Sequence, residues 1–303
     1  MSAPDAGEPS GGGTVDKPVI VGVDGSDPSL RALDWATDEA ALHGAPLCVV
    51  HSQAWGWYEG YGPSFSTDRS ALRVYADNVV GSAVERAGHR APAVKAYGEV
   101  VTEDPAAVLT RMSREASVLV VGGLGAGGIA GLPLGSVGLA VAAHAQSPVV
   151  VVRGDDRHAH RAFGRIAVGI DEPQQARRAV EFALCEAQLR GAALDAVHAW
   201  RCPAGEVADH PDHRADTARH RTLAQDTLTE ALWPAAETKG RVEVRRQAVE
   251  GHAREALLDA ARSADLLVVG ARRRTSHLGM QLGPVNHAVL HRAACPVAVV
   301  PHA

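Results

Sequence analysis

Hydrophobic and polar residues follow two alternating patterns along the chain. Short runs rich in β-branched residues, such as residues 19–23 and 118–121, are apolar at almost every position. Longer stretches between them place apolar residues three or four positions apart, as residues 30–40 do, and this spacing is typical of amphipathic helices. Strands that are apolar on both faces and alternate with helices predict a parallel sheet covered by helices on both sides.

The whole pattern occurs twice. The strand sequence VIVG at residues 19–22 returns as IAVG at residues 166–169, and the closing segment SPVVVV at residues 147–152 returns as CPVAVV at residues 295–300. The matching segments lie 147 or 148 residues apart, which indicates a tandem duplication of one domain. We therefore predict two doubly wound α/β domains with Rossmann-like parallel sheets. The expected divisions are a disordered tail at residues 1–15, a first domain at residues 16–154, a linker at residues 155–162 and a second domain at residues 163–303.

Within the first domain, the pattern predicts strands and helices in strict alternation. Asp27 is expected to be the N-cap of the first helix, with Pro28 at the first helical position, and Gly44 is expected to end the helix, because proline favours the first helical turn and glycine the position after the last. The other expected bounds are strands at residues 19–23, 47–51, 92–97, 118–121 and 149–152 and helices at residues 68–87, 105–114 and 136–144.

Charge and composition exclude several classes of protein. The chain has 303 residues, a net charge of -5 and a pI near 6.3, so it presents no basic field that would bind nucleic acid or an anionic membrane. No apolar run approaches the ~18 residues that span a bilayer, and the first residues lack the features of a secretory signal, so we expect a cytoplasmic protein. His287 and His291 are four positions apart, but no third residue at metal-ligand spacing accompanies them, and no metal site is predicted.

In doubly wound sheets, ligands bind beyond the carboxyl ends of the strands. Asp24 follows the first strand, and His51 and Ser52 follow the run that forms the second. The fourth strand is followed by GGLGAGGIAGLPLGSV at residues 122–137, which leads into the next helix at Ser136. Glycine-rich backbone and a helix N-terminus together suit phosphate oxygens, whereas the plainer interpretation is a mobile glycine linker.

Two familiar nucleotide motifs fit this loop poorly. GxxxxGK[ST] does not occur in the chain, so there is no P-loop lysine to meet the terminal phosphates. Gly123, Gly125 and Gly128 satisfy GxGxxG, but that dinucleotide fingerprint belongs after the first strand and needs an acidic residue about 20 positions later. Here it follows the fourth strand and leads to Ser147 and Pro148. A dinucleotide-binding domain is therefore the poorer interpretation.

The loop also satisfies a longer pattern, G-x2-G-x9-G-[ST], at Gly122, Gly125, Gly135 and Ser136, and the segment VGVDGSDPS occupies residues 21–29. In these motifs the chain resembles the universal stress protein family, and the resemblance covers both domains. The resemblance implies an adenine nucleotide as cofactor, ATP alone or with Mg²⁺.

The resemblance further assigns parts of the nucleotide to particular residues. It implies that the phosphates lie in the glycine loop, that the ribose lies near Asp24, and that the adenine lies near the backbone of Ser52. The implied cofactor site comprises Asp24, Ser52, Gly122, Gly125, Gly127, Gly135, Ser136 and Val137.

The second copy departs from this motif. Gly270 and Gly283 are retained, but Arg273 and Pro284 replace a glycine and the serine of the first copy. An arginine side chain obstructs the close approach of backbone to phosphate, and proline offers neither a hydroxyl nor an amide hydrogen. The second domain is therefore expected to bind nucleotide poorly. The alternative is that the arginines at residues 272–274 bind phosphate by charge.

No Ser/His/Asp arrangement, pair of carboxylates or nucleophile motif stands out, so no catalytic residue is assigned. The resemblance implies a nucleotide-binding regulatory protein of the stress response, with the nucleotide held mainly by the first domain. Two alternatives stay open: a slow ATPase that uses the same pocket, and a scaffold for a partner protein in which the nucleotide is structural. We also expect the closing strands of the two domains to associate within the chain, and a homodimer of the whole chain is a further expectation.

Overall fold

The computed structural model of the chain describes residues 17–53, 69–123, 134–154, 162–202, 213–233, 242–271, 274–276 and 279–302. The tail expected at residues 1–15 lies outside the described residues, as does all but the last residue of the expected linker. No helix in the described ranges is long and apolar enough to cross a membrane.

Capping residues set the limits of the first helix of each domain. Ser26 precedes helix α1 (Asp27–His43) in an extended conformation, and its side chain accepts a hydrogen bond from the backbone N–H of Ser29. Gly44 ends the helix with φ of 63°, a left-handed conformation that glycine adopts without strain. In the second domain, Gly191 ends helix α5 (Pro173–Arg190) in the same way, with φ of 61°. The predicted end of the first helix at Gly44 is confirmed. The predicted N-cap was one residue late, because the side chain that caps the helix is that of Ser26 and Asp27 is already helical.

Within the described residues, each domain alternates strands with helices, and the second domain adds two short strands after its fourth. The first domain comprises β1 (Val19–Gly22), α1, β2 (Leu47–Ser52), α2 (Arg69–Arg90), β3 (Ala96–Val101), α3 (Pro105–Met112), β4 (Val118–Gly122), α4 (Ser136–His144) and β5 (Val149–Val152). The second domain comprises β6 (Arg165–Gly169), α5, β7 (Ala193–Trp200), α6 (His213–Ala231), β8 (Val244–Glu250), α7 (Ala253–Ala260), β9 (Leu266–Ala271), the short strands β10 (Arg274–Ser276) and β11 (Gly279–Gln281), α8 (Pro284–Arg292) and β12 (Val297–Pro301).

Strand β3 begins four residues later than the strand predicted at residues 92–97. Its side chains are exposed or half-buried, because it is the outermost strand of its half of the sheet. An edge strand lacks the continuous apolar run that identifies a buried strand, and Pro92 has no N–H to donate to a neighbouring strand. The predicted position of this strand was therefore wrong.

Ten strands form one sheet in the order β3-β2-β1-β4-β5-β12-β9-β6-β7-β8. Neighbouring strands are parallel within each half, as in the pairing of β1 with both β2 and β4. The halves meet where β5 pairs antiparallel with β12, with Val150 opposite Ala298. The predicted doubly wound α/β fold with parallel sheets is confirmed, and the closing strands of the two domains lie side by side in a continuous sheet.

Two buried clusters cover the two faces of the sheet, and both extend across the two domains. One contains Leu33 of α1 and Val180 of α5, and the other contains Leu109 of α3 and Leu290 of α8. These side chains are almost fully removed from water, and burying a leucine or valine side chain stabilises a fold by about 1.5–3 kcal/mol. The strands are therefore held from both sides, and their carboxyl ends provide a fixed frame for the segments that follow them.

Candidate functional site

Three residues of the predicted nucleotide site lie at the carboxyl ends of adjacent strands. Because β1 lies between β2 and β4 in the sheet, the ends of these strands bring Asp24, Ser52 and Gly122 to one edge. The backbone pairing continues just beyond β1, where the N–H of Val23 donates to the carbonyl of Val50 at 2.9 Å. The structure thus gathers these three residues around the end of β1.

Asp24 is held by the N-terminus of α1. One oxygen of its carboxylate, Oδ1, accepts hydrogen bonds from the backbone N–H and the hydroxyl of Ser26, at 3.0 and 2.5 Å. The backbone N–H of Asp24 donates to the hydroxyl oxygen of Ser29 at 3.3 Å, and that hydroxyl donates to the carbonyl of Ser26 at 2.8 Å. These bonds fix a half-buried carboxylate at the edge of the sheet, where a carboxylate can accept hydrogen bonds from a sugar.

Ser52 and His51 end β2 with side chains on opposite faces of the sheet. The hydroxyl of Ser52 donates to the carbonyl of Glu103 at 2.7 Å, so a contact to a base at this position would come from the backbone. His51 is buried, and its Nδ1 lies 2.8 Å from the carbonyl oxygen of Val23. No described residue bonds to its Nε2. The contact between His51 and Val23 therefore links β2 to the segment that follows β1.

Gly122 ends β4 at a place where no side chain fits. A Cβ atom at this residue would lie 2.8 Å from the carbonyl oxygen of Pro28 and 3.1 Å from the backbone nitrogen of Ser29. Both atoms belong to the first turn of α1, which is anchored in the core. Glycine at this position therefore allows α1 to approach β4 closely, and this packing role exists with or without a ligand.

The glycine loop begins and ends at one point. The N–H of Gly123 donates to the carbonyl of Val152 at 3.0 Å, and the N–H of Gly135 donates to the carbonyl of Gly123 at 2.7 Å. The loop is thus closed at its base, beside the carboxyl end of β4. Gly125 and Gly127, two further glycines of the predicted site, lie outside the described residues.

Helix α4 begins immediately after this closure. Gly135 is the N-cap, with an extended backbone, and Ser136 and Val137 open the first turn. The first N–H groups of a helix have no carbonyl partner within it, and they carry a partial positive charge. The side chain of Ser136 is exposed, whereas Val137 packs against the core. The helix therefore presents a hydroxyl and backbone N–H groups that suit an anion.

The second domain contains a cavity of about 280 Å³ at the corresponding edge of its half of the sheet. Asp171 follows β6 as Asp24 follows β1, and it lines the cavity together with Glu172. Much of the remaining wall is apolar and includes Val197, Ala199, Ala253, Leu257, Val269 and Val285.

Side chains occupy the part of this cavity that corresponds to the closed base of the glycine loop. Asn286 stands where the first copy has Gly138, and its amide donates to the carbonyl of Gly270 at 2.8 Å. The ring of His302 lies so close to Gly270 that a Cβ there would be 3.0 Å from it. Pro284 opens α8 without an N–H to offer. Asn286 and His302 were not predicted as site residues; the change from GSVG to GPVN between the copies is the signal that could have identified the asparagine.

The segment that replaces the glycine loop contains the hairpin of β10 and β11. In this hairpin Arg274 pairs with Gln281, and β11 lies next to α4 of the first domain. Arg272 and Arg273 lie outside the described residues. Phosphate binding by this arginine cluster therefore stays an open alternative to the predicted weak binding.

Two α/β domains of matched topology, joined through one continuous sheet, define a tandem doubly wound protein. The sequence model of the universal stress protein family matches residues 17–153 and 162–301. The chain belongs to the universal stress protein family, and it carries two copies of the family's domain. The resemblance found in the sequence motifs is confirmed.

Individual relatives agree with this assignment over almost the full chain. A universal stress protein of Mycolicibacterium smegmatis is 32% identical over 288 residues, which cover 93% of this chain and 96% of the relative. One from Mycobacterium bovis is 34% identical over 303 residues, with 93% and 96% covered. The crystal structure of a universal stress protein from Archaeoglobus fulgidus shares the fold with a TM-score of 0.70 at 20% identity, and the match covers 95% of this chain and 99% of that chain.

Proposed function

We propose that this protein is a regulatory protein of the stress response that binds an adenine nucleotide, ATP, mainly in its first domain. The observation that carries the proposal is the closed base of the glycine loop, where the N–H of Gly135 donates to the carbonyl of Gly123 at 2.7 Å. This closure brings the N-terminus of α4 to the edge of the sheet that carries Asp24. Membership of the universal stress protein family supports the same function.

Each part of ATP meets a group of suitable chemistry in this proposal. The phosphates lie at the N-terminus of α4, where the Ser136 hydroxyl and the first backbone N–H groups donate to their oxygens. Gly125 and Gly127 allow the loop backbone to approach the phosphates closely. The carboxylate of Asp24 accepts hydrogen bonds from the ribose, and the adenine lies against the backbone near Ser52. Mg²⁺, when present, binds through the phosphate oxygens.

At the start of the helix after the fourth strand, the first domain offers a phosphate more donors than the second. Ser136 supplies a hydroxyl and a backbone N–H, whereas Pro284 supplies neither, and the amide of Asn286 already donates to the protein backbone. Loss of one hydrogen bond to a charged group costs about 1.5–3 kcal/mol, which separates the two sites by about tenfold or more in affinity. We therefore propose about one ATP per chain, held by the first domain.

The nucleotide is identified by releasing it from freshly purified protein. Heat denaturation followed by mass spectrometry of the supernatant is expected to yield ATP at close to one equivalent per chain. Conversion of added ATP to ADP and phosphate by the intact protein, lost in Gly125→Glu, would favour the slow ATPase instead. A supernatant without adenine nucleotide, together with no ATP binding in equilibrium dialysis, would contradict the proposal.

A further inference from the structure

A buried polar cluster joins the two domains where α1 packs against α5. Glu39 of α1 and Glu186 of α5 are fully buried and occupy equivalent positions in the two copies, 147 residues apart. His43 and Arg190 follow them by four residues each, again at equivalent positions. Carboxylates are almost never fully buried unless they are paired or bind a metal ion. This cluster therefore calls for a chemical explanation of its own.

Arg190 pairs with one oxygen of each carboxylate. Its two terminal nitrogens donate to Oε2 of Glu39 and to Oε2 of Glu186. The guanidinium carbon lies 5.7 Å from the ring centre of Trp35, at the distance of a cation–π contact. Arg190 thus fixes the orientation of both carboxylates from one side.

The other oxygens of the two carboxylates converge on His43. Nε2 of His43 lies 3.2 Å from Oε1 of Glu39 and 3.0 Å from Oε1 of Glu186. A ring N–H points in one direction, so a single hydrogen cannot align well with both oxygens. A metal ion can bond to all three atoms at once. In a tetrahedral zinc site with bonds of about 2.0–2.2 Å, neighbouring ligand atoms are about 3.3 Å apart, close to the two distances from Nε2 of His43.

We propose that Glu39, His43 and Glu186 bind a divalent transition-metal ion, with Zn²⁺ the best fit, at the junction of the two domains. The three ligand atoms all lie within 4.8 Å of one another. Imidazole and carboxylate together suit Zn²⁺, whereas Mg²⁺ and Ca²⁺ prefer oxygen ligands alone. Arg190 acts behind the ligands and holds the carboxylates in place. The side chain of His43 is 22% exposed, which leaves a route for the ion and a place for a water ligand.

The charge of the cluster favours a cation. The two carboxylates carry one negative charge more than Arg190 balances, so the cluster is neutral only when a proton on His43 or a bound cation supplies the second positive charge. Two aspartates on the outer side of α1 do not compete with Glu39 and Glu186 for a cation, because each aspartate pairs with an arginine of α2. These pairs are Asp34 with Arg86 and Asp38 with Arg90. Because two ligands come from α1 and one from α5, the ion ties the domains together.

The test titrates the full-length chain, without an affinity tag, with Co²⁺, which occupies Zn²⁺ sites and reports their geometry by visible absorption. One equivalent per chain is expected to give the intense absorption of a tetrahedral site, and Zn²⁺ is expected to displace it. His43→Gln is expected to lower the affinity by roughly tenfold or more, the loss that even an outer-shell partner can cause. His89→Gln is the matched control, because His89 also follows a helical glutamate by four residues, at 3.6 Å from Glu85, but is exposed.

Thermal unfolding provides a second measurement, because an ion that binds the folded chain raises its Tm. Zn²⁺ is expected to raise the Tm of the unaltered chain and of His89→Gln, but not that of His43→Gln. The proposal is overturned if the unaltered chain shows no saturable Co²⁺ site, or if the site survives in His43→Gln. It is equally overturned if His287→Gln removes the site, which would assign the ion to His287 and His291, whose rings lie 4.3 Å apart.

Discussion

The two domains have the same fold and differ in the segments that follow the carboxyl ends of their fourth strands. In the first domain, Gly135 and Gly123 close the loop after β4, and α4 begins with an exposed Ser136. In the second domain, Asn286 bonds back to the end of β9, and α8 begins with Pro284. The start of the helix therefore presents donors in the first domain, whereas Pro284 and Asn286 of the second domain lack a donor or use it within the protein.

The comparison shows that the packing of strands and helices depends on one set of residues, and the chemistry offered to a ligand depends on another. The contacts between the first two strands are alike in the two domains. Nδ1 of His51 lies 2.8 Å from the carbonyl oxygen of Val23, and Nδ1 of His198 lies 2.9 Å from that of Ile170. Such contacts hold the ends of the first two strands of each domain together. Changes after the fourth strand are therefore expected to alter binding without altering the fold.

The largest expected effect is the loss of ATP binding in Gly125→Glu. A negatively charged side chain would occupy the space of the phosphates and repel them. We expect calorimetry to detect no binding while circular dichroism is unchanged. Arg273→Glu, at the matching position of the second domain, is the control and is expected to retain full affinity. If Arg273→Glu abolished binding instead, the arginine cluster would be the phosphate site.

The next largest effect is expected on the stability of the fold. Gly122→Ala is expected to destabilise the protein by about 1–3 kcal/mol, the usual cost of forcing an added carbon into a packed core. Its Cβ would press on the backbone of Pro28, 2.8 Å away. Gly270→Ala is the matched change in the second domain, where the Cβ would meet the ring of His302 at 3.0 Å, and a ring can turn aside. Urea unfolding should show a clearly smaller loss for Gly270→Ala, and equal losses would rule out this explanation of Gly122.

Restoring the motif in the second domain is expected to raise the affinity of that domain for ATP about tenfold, because each restored hydrogen bond to phosphate contributes about 1.5–3 kcal/mol. The repaired chain combines Arg273→Gly, Pro284→Ser and Asn286→Gly, which restores the residue types of the first copy. Equilibrium dialysis should then find a second ATP per chain. Two equivalent sites in the unaltered chain would contradict the division between the domains.

The smallest effect is expected at the ribose. Asp24→Asn keeps an oxygen for the hydrogen bonds of Ser26 and replaces the other oxygen with a donor. Because the new amide N–H can itself donate to a ribose oxygen, it offsets part of the lost bond to the carboxylate, and ATP binding should weaken only about fivefold in calorimetry, which corresponds to about 1 kcal/mol. Asp171→Asn is the control in the second domain and is expected to have no effect. A larger effect of Asp171→Asn than of Asp24→Asn would place the nucleotide in the second domain.

Elements with strong local signals could be predicted from the sequence. The strands β4 and β5 are buried on both faces, and their sequences are apolar throughout apart from the final glycine of β4. Gly44 marks the end of α1 because it adopts φ of 63°. The position of β3 could not be predicted, because its half-exposed residues carry no apolar run. Local patterns therefore predict buried elements better than edges.

Residues that matter through long-range contacts could not be assigned from the sequence. The position of Asp24 follows from the order of the strands, but the packing of Gly122 against Pro28 depends on segments far apart in the chain. Glu39 and Glu186 recur at equivalent positions, and that repetition is a signal in the sequence. Their meeting requires α1 to pack against α5, which no local pattern shows.

Strand direction reverses across the ladder between β5 and β12. The strands of the first domain therefore point toward one margin of the ten-stranded sheet, and those of the second domain point toward the opposite margin. Ligands beside Asp24 and Asp171 would enter from opposite sides of the molecule and share no solvent space. A molecule that covered one margin would therefore leave the other exposed.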